Sequence, residues 1–565
     1  MKSRHWMTAF AMLAVLVSTS ALAVPTRYIV FTMDLDDRVQ PVFYTEVDLE
    51  QPAIAHSNAA VATASAHEES VAYHAWRHGT DLGERSVTVP NLRGEFAHDP
   101  EHGDGSIDAV AVAKAERSFV VRIPVADADA LEFTQTSGGQ RIDLDVLAAS
   151  ARTLSLAASI PELQIAREPS SGNSANRLDL LVVGDGYTSA QQSQFNTDAT
   201  VLHDSFFGLT PYHEYQSFVN WTTGFIASAQ SGADHPPYQA GCTNSSCCSD
   251  NAAIADPLAG HYVNTAFSAQ FCTSQIQRLI TVNQSLVLAA AAAYPGWDKI
   301  FVVVNDTTYG GSGGNISVTS THAQAKQIIL HEFGHSFTHL ADEYSSAYPG
   351  FPACSDISGN ASCEPNVTNQ TTAAQVKWAT WFTPGNPIPT PSGHAGVGLF
   401  QGARYLTTGM YRPVDQQCLM QYLGKPFCPV CRQEYVRTLY RGGFGVPVNG
   451  IDLIEPGTES PSTALAITYT AGTNQIFQAT LLQPTVGTLG VQWYLDGNPI
   501  NSATSSSYTF HQASASPPTH TLELRVKDLT TFVAPSMEGT LLDHKRTWVI
   551  HVVNADDTIF KNGFD

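Results

Sequence analysis

Residues 328–344 read IILHEFGHSFTHLADEY, and this stretch decides how the centre of the chain folds. His331 and His335 are four residues apart, so a helix carries both imidazoles on one face, one turn apart, where both can bind the same Zn²⁺. Glu332 stands beside them. Its carboxylate can take a proton from a water molecule whose pKa the metal has lowered to roughly 7. The spacing therefore predicts a zinc site on a short helix.

The same stretch also has the pattern of an ordinary amphipathic helix. Ile329, Phe333 and Phe337 recur every four residues and would form a buried seam with or without a metal. That seam leaves the two histidines unexplained. Chance would produce the His-Glu-x-x-His pattern only roughly 0.03 times in a chain of this composition. We therefore favour metal ligands over surface histidines.

A third protein ligand is needed, because catalytic zinc usually has three ligands and a water molecule. If the helix continued to His339, that residue would lie about 12 Å along the axis from the first histidine, too far for one ion to bind both. The chain must therefore turn, and Asp342 is the nearest carboxylate that a turn would deliver. Glu343 is the immediate alternative, and Glu364, in a Cys- and Asn-rich stretch, is a more distant one.

Motifs on both sides of this stretch resemble one known family. The sequence LADEY follows directly at residues 340–344, and the other motifs are GMYRP at 409–413, CLM at 418–420, LVVGDGYT at 181–188 and YGGSGG at 309–314. Together they resemble the bacterial IgA-protease-type metallopeptidases, a metzincin-like family of zinc peptidases. The resemblance extends over about the middle half of the chain. One departure is His339, where the family often has glycine, although histidine is among the residues that best tolerate the positive φ of a sharp helix exit.

The resemblance implies roles for several residues. It implies that Asp342 is the third zinc ligand and that Met420 forms the methionine turn beneath the metal. Residues 418–422 are also similar to the Met-x-Tyr turn of astacin-like and serralysin-like enzymes, so Tyr422 is a candidate catalytic residue that donates a phenolic hydrogen bond to the oxyanion. A tyrosine packed under the turn is the alternative. The strand Ile316–Thr319 would bind an extended peptide substrate as an edge strand.

The N-terminus and the composition indicate an exported protein. Residues 1–23 carry Lys2 and Arg4, an apolar run and a small-residue end, which predicts a cleaved secretory signal peptide. Its removal would change the net charge of −22 by the loss of two basic residues, to −24. This acidic balance argues against nucleic acid or an anionic membrane as partner, and no later segment is long and apolar enough to span a bilayer.

Nine cysteines in an exported chain are typical of disulfide bonding. All nine lie between residues 242 and 431, and the odd count predicts one thiol left over. Cys354 and Cys363 could close one ring within a long loop. Cys428 and Cys431 could form a redox pair or half of a zinc knuckle, but we interpret them as disulfide-bonded because no second Cys-x-x-Cys accompanies them.

Alternating strand patterns on both sides of the centre predict a multidomain α+β protein. Residues 24–165 favour an N-terminal antiparallel β-sandwich, 166–445 a metzincin-like zinc-peptidase domain, and 446–553 an immunoglobulin-like β-sandwich with Trp493 in its core; 554–565 form a tail. The sequence thus predicts a secreted zinc endopeptidase. The alternatives are a non-catalytic surface-binding protein with a vestigial zinc site, and a zinc amidase that acts on cell-wall or sugar amides.

Overall fold

The computed structural model describes residues 23–50, 68–90, 95–97, 107–109, 116–134, 139–156, 162–167, 171–314, 316–348, 351–357, 362–442 and 450–554. Within these ranges the protein is mixed α+β, with several sheets and few helices. The predicted signal peptide lies outside the described residues except for Ala23, and the predicted tail does so except for Asn554.

The N-terminal region forms two antiparallel sheets that face each other. One sheet has the order β2-β1-β7 and the other β4-β3-β8-β9, and their inner side chains, such as Phe31, Tyr73 and Phe119, share one core. The elements of this region are β1 (Ala23–Met33), β2 (Val39–Glu50), β3 (Glu68–Arg77), β4 (Thr80–Pro90), β5 (Glu95–Ala97), β6 (Ile107–Ala109), β7 (Arg117–Pro124), β8 (Ala130–Phe133), β9 (Gln140–Asp143) and α1 (Leu144–Ser150).

The centre of the molecule is a six-stranded sheet with helices on both faces. Its order is β10-β12-β11-β13-β15-β14, in which the four inner strands run parallel and the two outer ones antiparallel. A separate hairpin follows. The elements are β10 (Gln164–Arg167), β11 (Leu178–Asp185), α2 (Gln192–Phe207), β12 (Val219–Phe225), α3 (Gln284–Ala290), β13 (Lys299–Val304), β14 (Gly311–Ser312), β15 (Ile316–Ser320), α4 (Lys326–Thr338), β16 (Phe400–Ala403), β17 (Leu406–Arg412) and α5 (Pro429–Arg441).

Each central strand is buried on both faces, because alternate side chains enter two different cores. Leu180 and Val182 of β11 pack with α2 and α4 in one core. Leu181 and Val183 pack with α3 and with Tyr28 of β1 in the other. The N-terminal sheets therefore cover the face of the central sheet that is opposite to α4.

The predicted edge strand Ile316–Thr319 is not at the edge of the sheet. It lies in β15, which pairs with β13 on one side and on the other with β14, through Gly311 opposite Thr319 and Ser312 opposite Val318. Leu279 bridges the outer side of Gly311. The glycine-rich turn folds back as a short antiparallel strand, so it covers Val318 and Thr319, half of the strand that was expected to bind the peptide.

The C-terminal region again forms facing sheets, with the orders β18-β24-β23-β20-β21 and β19-β22. Trp493 is fully buried, as predicted, and stacks on Trp548 with ring centroids 5.4 Å apart. The elements are β18 (Ile467–Thr470), β19 (Gln475–Gln478), β20 (Leu489–Leu495), β21 (Asn498–Pro499), β22 (Ser507–Phe510), β23 (Thr519–Asp528), α6 (Pro535–Glu538) and β24 (Asp543–Val553).

Six of the nine cysteines form disulfides, and these pairs support an extracellular or secreted location. The pairs are Cys242–Cys247, Cys248–Cys272 and Cys354–Cys363. The predicted ring between Cys354 and Cys363 is confirmed. The prediction that Cys428 and Cys431 are disulfide-bonded is wrong, because both are free thiols, with Sγ atoms 3.5 Å apart. Three thiols remain instead of one. None of the helices in the described ranges combines the length and apolar composition that crossing a membrane requires.

Candidate active site

Helix α4 brings the two predicted histidine ligands together. The Nε2 atoms of His331 and His335 are 2.9 Å apart, and each imidazole is only 2% exposed. The predicted seam of Ile329, Phe333 and Phe337 is confirmed, since all three are fully buried against the central sheet and α5. Burial of the seam fixes the rotation of the helix, so the histidines lie on the opposite side of the helix and face Asp342.

The chain reverses at His339, where the sequence predicts a sharp exit. His339 has a φ of 52°, in the left-handed region, and the Leu340 N–H donates to Gly334 O at 3.2 Å. This is the Schellman arrangement that ends many helices, here with histidine in place of glycine. The turn directs Asp342 back to the histidines, with Oδ1 at 3.2 Å from both Nε2 atoms.

Hydrogen bonds to the other ring nitrogens orient both imidazoles. The Nδ1–H of His331 donates to Leu419 O at 3.0 Å, and the Nδ1–H of His335 donates to Leu340 O at 2.6 Å. These bonds assign the proton to Nδ1 and leave each Nε2 lone pair directed at the common centre, as in protein metal sites. The turn at residues 418–420 thus supports His331 directly.

Tyr405 fixes the position of the Asp342 carboxylate, and no motif in the sequence had indicated this tyrosine. Its hydroxyl donates to Asp342 Oδ2 at 2.6 Å, and the neighbouring Arg404 N–H donates to Asp342 O at 3.0 Å. Both residues lie in the turn between β16 and β17. Burial alone would raise the pKa of the Asp342 carboxyl, but its interactions with the two adjacent imidazoles outweigh burial and hold that pKa well below its usual range.

The two alternative carboxylates point elsewhere. Glu364 accepts two hydrogen bonds from the buried Arg404 guanidinium, at 2.7 and 3.1 Å, so its charge is already paired. Glu343 points away from the histidines and lies 3.3 Å from Cys431 Sγ. Of the carboxylates considered from the sequence, Asp342 is therefore the one that meets the histidines.

Glu332 lies beside the histidines against the glycine-rich turn. Its side chain is 2% exposed, and a Cβ added to Gly313 would lie only 1.6 Å from Glu332 Oε2. Only glycine leaves room for the carboxylate here. The glycine-rich turn therefore packs directly against the Glu332 carboxylate.

Met420 and Tyr422 lie on the turn below α4. Met420 is fully buried, and its sulfur would be 2.9 Å from a Cβ added to Gly334, so this glycine lets the turn approach the helix closely. The Tyr422 N–H donates to Cys418 O at 3.0 Å, and its side chain is half-buried.

His331, His335 and Asp342 offer ligand atoms that lie close enough together to hold one metal ion. Two imidazole nitrogens, a carboxylate and a neighbouring glutamate form the type of site that a metal-dependent hydrolase uses. Residues 167–247 and 241–396 match the sequence profile of a family described as IgA Peptidase M64. This match supports a peptidase.

The other comparisons add no functional argument. No curated protein matches the chain. Among solved structures, a nucleoside hydrolase-related hypothetical protein from Saccharophagus degradans, associated with carbohydrate metabolism, is 12% identical over 48% of this chain and 69% of its own, with a TM-score of 0.16. A likeness this low does not establish even a shared fold.

Proposed function

We propose that the chain is an exported zinc-dependent endopeptidase whose metal is held by His331, His335 and Asp342. The observation that carries the proposal is the triangle of ligand atoms, with sides of 2.9, 3.2 and 3.2 Å, beside the buried Glu332 carboxylate. Ligands about 2.0 Å from one tetrahedral zinc ion are roughly 3.3 Å apart, so these three atoms fit that ion without rearrangement. Two nitrogens and one oxygen are also a donor set that suits zinc.

In the proposed reaction, Glu332 moves the proton. Zinc bound here would polarise the peptide carbonyl and lower the pKa of water. Glu332 takes a proton from the attacking water on a carboxylate oxygen and later gives it to the nitrogen of the leaving amine. Tyr405 and Leu419 O keep Asp342 and His331 in position. Tyr422 is the proposed donor to the oxyanion.

The proposed substrate is a peptide in extended conformation. Gly313 follows the short strand β14 and lies directly against Glu332, so a peptide that pairs with this backbone would place its carbonyl beside the carboxylate. Hydrogen bonds between backbones do not involve the side chains of the substrate, so this pairing would give little sequence specificity. The N-terminal region also borders this side, since β5 contacts β14.

The substitution Glu332→Gln tests the proposal. It removes the base but preserves the size of the side chain, so we expect parental zinc content and a fall in casein hydrolysis of about 10²- to 10⁴-fold. Glu162→Gln, at an exposed position, is the matched control and should hydrolyse casein at the parental rate. A zinc-loaded Glu332→Gln protein with parental activity would contradict the assignment. Loss of parental activity on chelation, with recovery on added zinc, is the companion result.

A further inference from the structure

Four buried side chains form a second cluster next to the proposed active site. Glu343, Cys418, Cys428 and Cys431 are 0 to 3% exposed, and each offers a ligand atom within 4.8 Å of the others. They come from three places in the chain: the segment after α4, the turn that contains Met420, and the start of α5. None of them contributes to the histidine site.

The spacing of the sulfurs is that of metal ligands rather than of a disulfide. Cys431 Sγ is 3.6 Å from Cys418 Sγ and 3.5 Å from Cys428 Sγ, and it is 3.3 Å from Glu343 Oε1. Thiolates about 2.3 Å from a tetrahedral zinc ion are roughly 3.7 Å apart. The other six cysteines are paired as disulfides, so these three sulfurs are distinguished by converging on one point together with an oxygen.

The buried Glu343 carboxylate in the cluster has no cation directly beside it to balance its negative charge. Glu343 is fully buried, and its Oε2 has no hydrogen-bond partner among the residues that the structure describes, while Oε1 accepts from Asn366 Nδ2 at 3.0 Å and from the Cys431 thiol at 3.3 Å. The guanidinium of Arg412 is engaged by Asp415 at 2.5 Å and by Val414 O at 3.1 Å. A buried carboxylate without a close cation is costly, and a cation at the centre of the cluster would remove that cost.

The backbone around the cysteines is arranged to stabilise thiolates. Cys428 is the N-cap residue of α5, so it lies at the positive end of the helix dipole. The Cys428 N–H donates to Cys418 Sγ at 3.4 Å. Helix N-termini and N–H donors favour the thiolate form, which is the form that binds metal.

We propose that Glu343, Cys418, Cys428 and Cys431 form a structural zinc site, distinct from the histidine site. Four protein ligands leave no open position for substrate, and three thiolates favour zinc over magnesium or calcium. The ion would join the α4 exit to the Met420 turn and to α5. Because Glu343 follows Asp342, and Leu419 O accepts from His331, this site would fix two ligands of its neighbour.

Metal content and cobalt spectroscopy test this proposal independently of activity. Purified full-length protein should contain two zinc ions per chain. After replacement of zinc by Co²⁺, it should show an intense near-ultraviolet thiolate-to-metal charge-transfer band, because three sulfurs bind the ion. A cobalt protein without this band would overturn the proposal, whatever its total metal content.

Two variants separate this site from the histidine site. His335→Ala should lose one metal and keep the charge-transfer band, whereas Cys431→Ser should lose the band. If the histidine site held no metal, the parent would show one metal with the band, so failure of the proposed function would look different. If Cys431→Ser does not fold, alkylation of the parent protein tests the same proposal. Alkylation after unfolding with chelator but without reductant should modify three cysteines, and modification of only one would reveal a disulfide and overturn the proposal.

Discussion

At the scale of single residues, Gly313 and Gly334 lie where any side chain would collide with the proposed active site. A Cβ at Gly334 would approach the sulfur of Met420 to 2.9 Å, and one at Gly313 would approach Glu332 Oε2 to 1.6 Å. Neither glycine is needed for a left-handed turn at its own position. Both are required because two parts of the backbone must pass close to catalytic or supporting side chains.

Replacement of Gly313 by alanine should separate catalysis from folding. The colliding atom is the end of a flexible side chain, so Glu332 can rotate away while the backbone stays in place. We expect the unfolding free energy to change by less than about 1 kcal/mol and the zinc content to stay parental. The kcat for a peptide substrate should fall by about 10²-fold, because the base no longer reaches the attacking water.

Gly296→Ala is the matched control for this substitution. The nearest atom to its added Cβ is Ser174 Oγ at 4.0 Å, so the methyl group meets open space and the rate should not change. Parental kcat in a fully metal-loaded Gly313→Ala protein would mean that the observed position of the Glu332 carboxylate is not its working position.

At the scale of elements, the sequence predicts well what depends on neighbours along the chain. The apolar seam predicts α4, and the structure has this helix. The capping box of Thr188 and Gln191, at the start of the helix that follows β11, is an equally local feature. The end of the helix at His339 is also predictable, because a continuous helix would carry His339 too far from His331 to share one ion. Histidine can occupy this turn because it tolerates a positive φ. These features depend on local periodicity and local hydrogen bonds.

Features that depend on distant contacts escape the same reasoning. Tyr405 holds Asp342 from 63 residues away, and no spacing in the sequence links the two. Asp342 and Glu343 remain equivalent until the fold directs one to the histidines and the other to the cysteines. The two-residue strand β14 is too short to have a period, so the strand that it covers was placed at the edge.

A buried ion-pair network joins the long connection between β12 and α3 to the segment directly after β13, and it makes the stability of the fold depend on pH. His235 is fully buried, with Nδ1 at 2.8 Å from Asp256 and Nε2 at 3.1 Å from Asp306. Burial alone would lower the pKa of His235, but the hydrogen bonds and charges of the two carboxylates outweigh it and raise that pKa. Burial alone would raise the pKa of Asp306, but the hydrogen bonds from His235 and Thr308 and the charge of His235 together outweigh burial and lower that pKa.

The network should stabilise the fold most between about pH 4 and pH 6.5. These limits are the ordinary pKa values of an aspartate and of a histidine. Above that window the unfolded chain releases the histidine proton first, so the unfolding free energy should fall by up to about 1.4 kcal/mol per pH unit until His235 itself deprotonates. Below about pH 4, protonation of Asp306 removes its charge attraction to His235, so the unfolding free energy should fall again. Urea unfolding across this range should show a maximum in the parent and a flatter profile in His235→Gln.

The exposed His394 provides the control for this profile. His394→Gln removes a histidine without touching the network, so its stability should vary with pH as in the parent. A profile for His235→Gln that runs parallel to that of the parent above pH 6.5 would show that the buried imidazole is neutral in the folded protein.

At the scale of the whole molecule, the N-terminal and C-terminal regions both pack onto the centre through buried contacts. On the N-terminal side, the Tyr28 hydroxyl donates to Leu288 O at 2.7 Å, and the Arg122 guanidinium lies 4.2 Å from the ring of Trp297. On the C-terminal side, one apolar core includes residues of both α4 and β20. Such continuous cores are expected to unfold as one unit rather than as separate modules.

Asp528 joins the C-terminal sheets to the centre most directly. It is 1% exposed, and its Oδ2 accepts hydrogen bonds from Tyr215 at 2.6 Å and from Tyr440, at the end of α5, at 2.8 Å. Asp528→Ala leaves two buried hydroxyls without their acceptor. We expect a loss of about 3 kcal/mol of unfolding free energy, whereas Asp543→Ala, at an exposed position of β24, should change it by less than about 0.5 kcal/mol.

Hydrogen exchange followed by mass spectrometry shows whether the loss is shared across the molecule. Because Asp528 bonds to groups on both sides of the interface, exchange in the Asp528→Ala protein should rise in β20 and β23 and equally in α5. Global opening then limits exchange in both regions, so their protection factors should decrease by the same factor. If exchange rose only in the C-terminal strands, those sheets would form an independent module, and the single cooperative unit inferred from the shared core would be wrong.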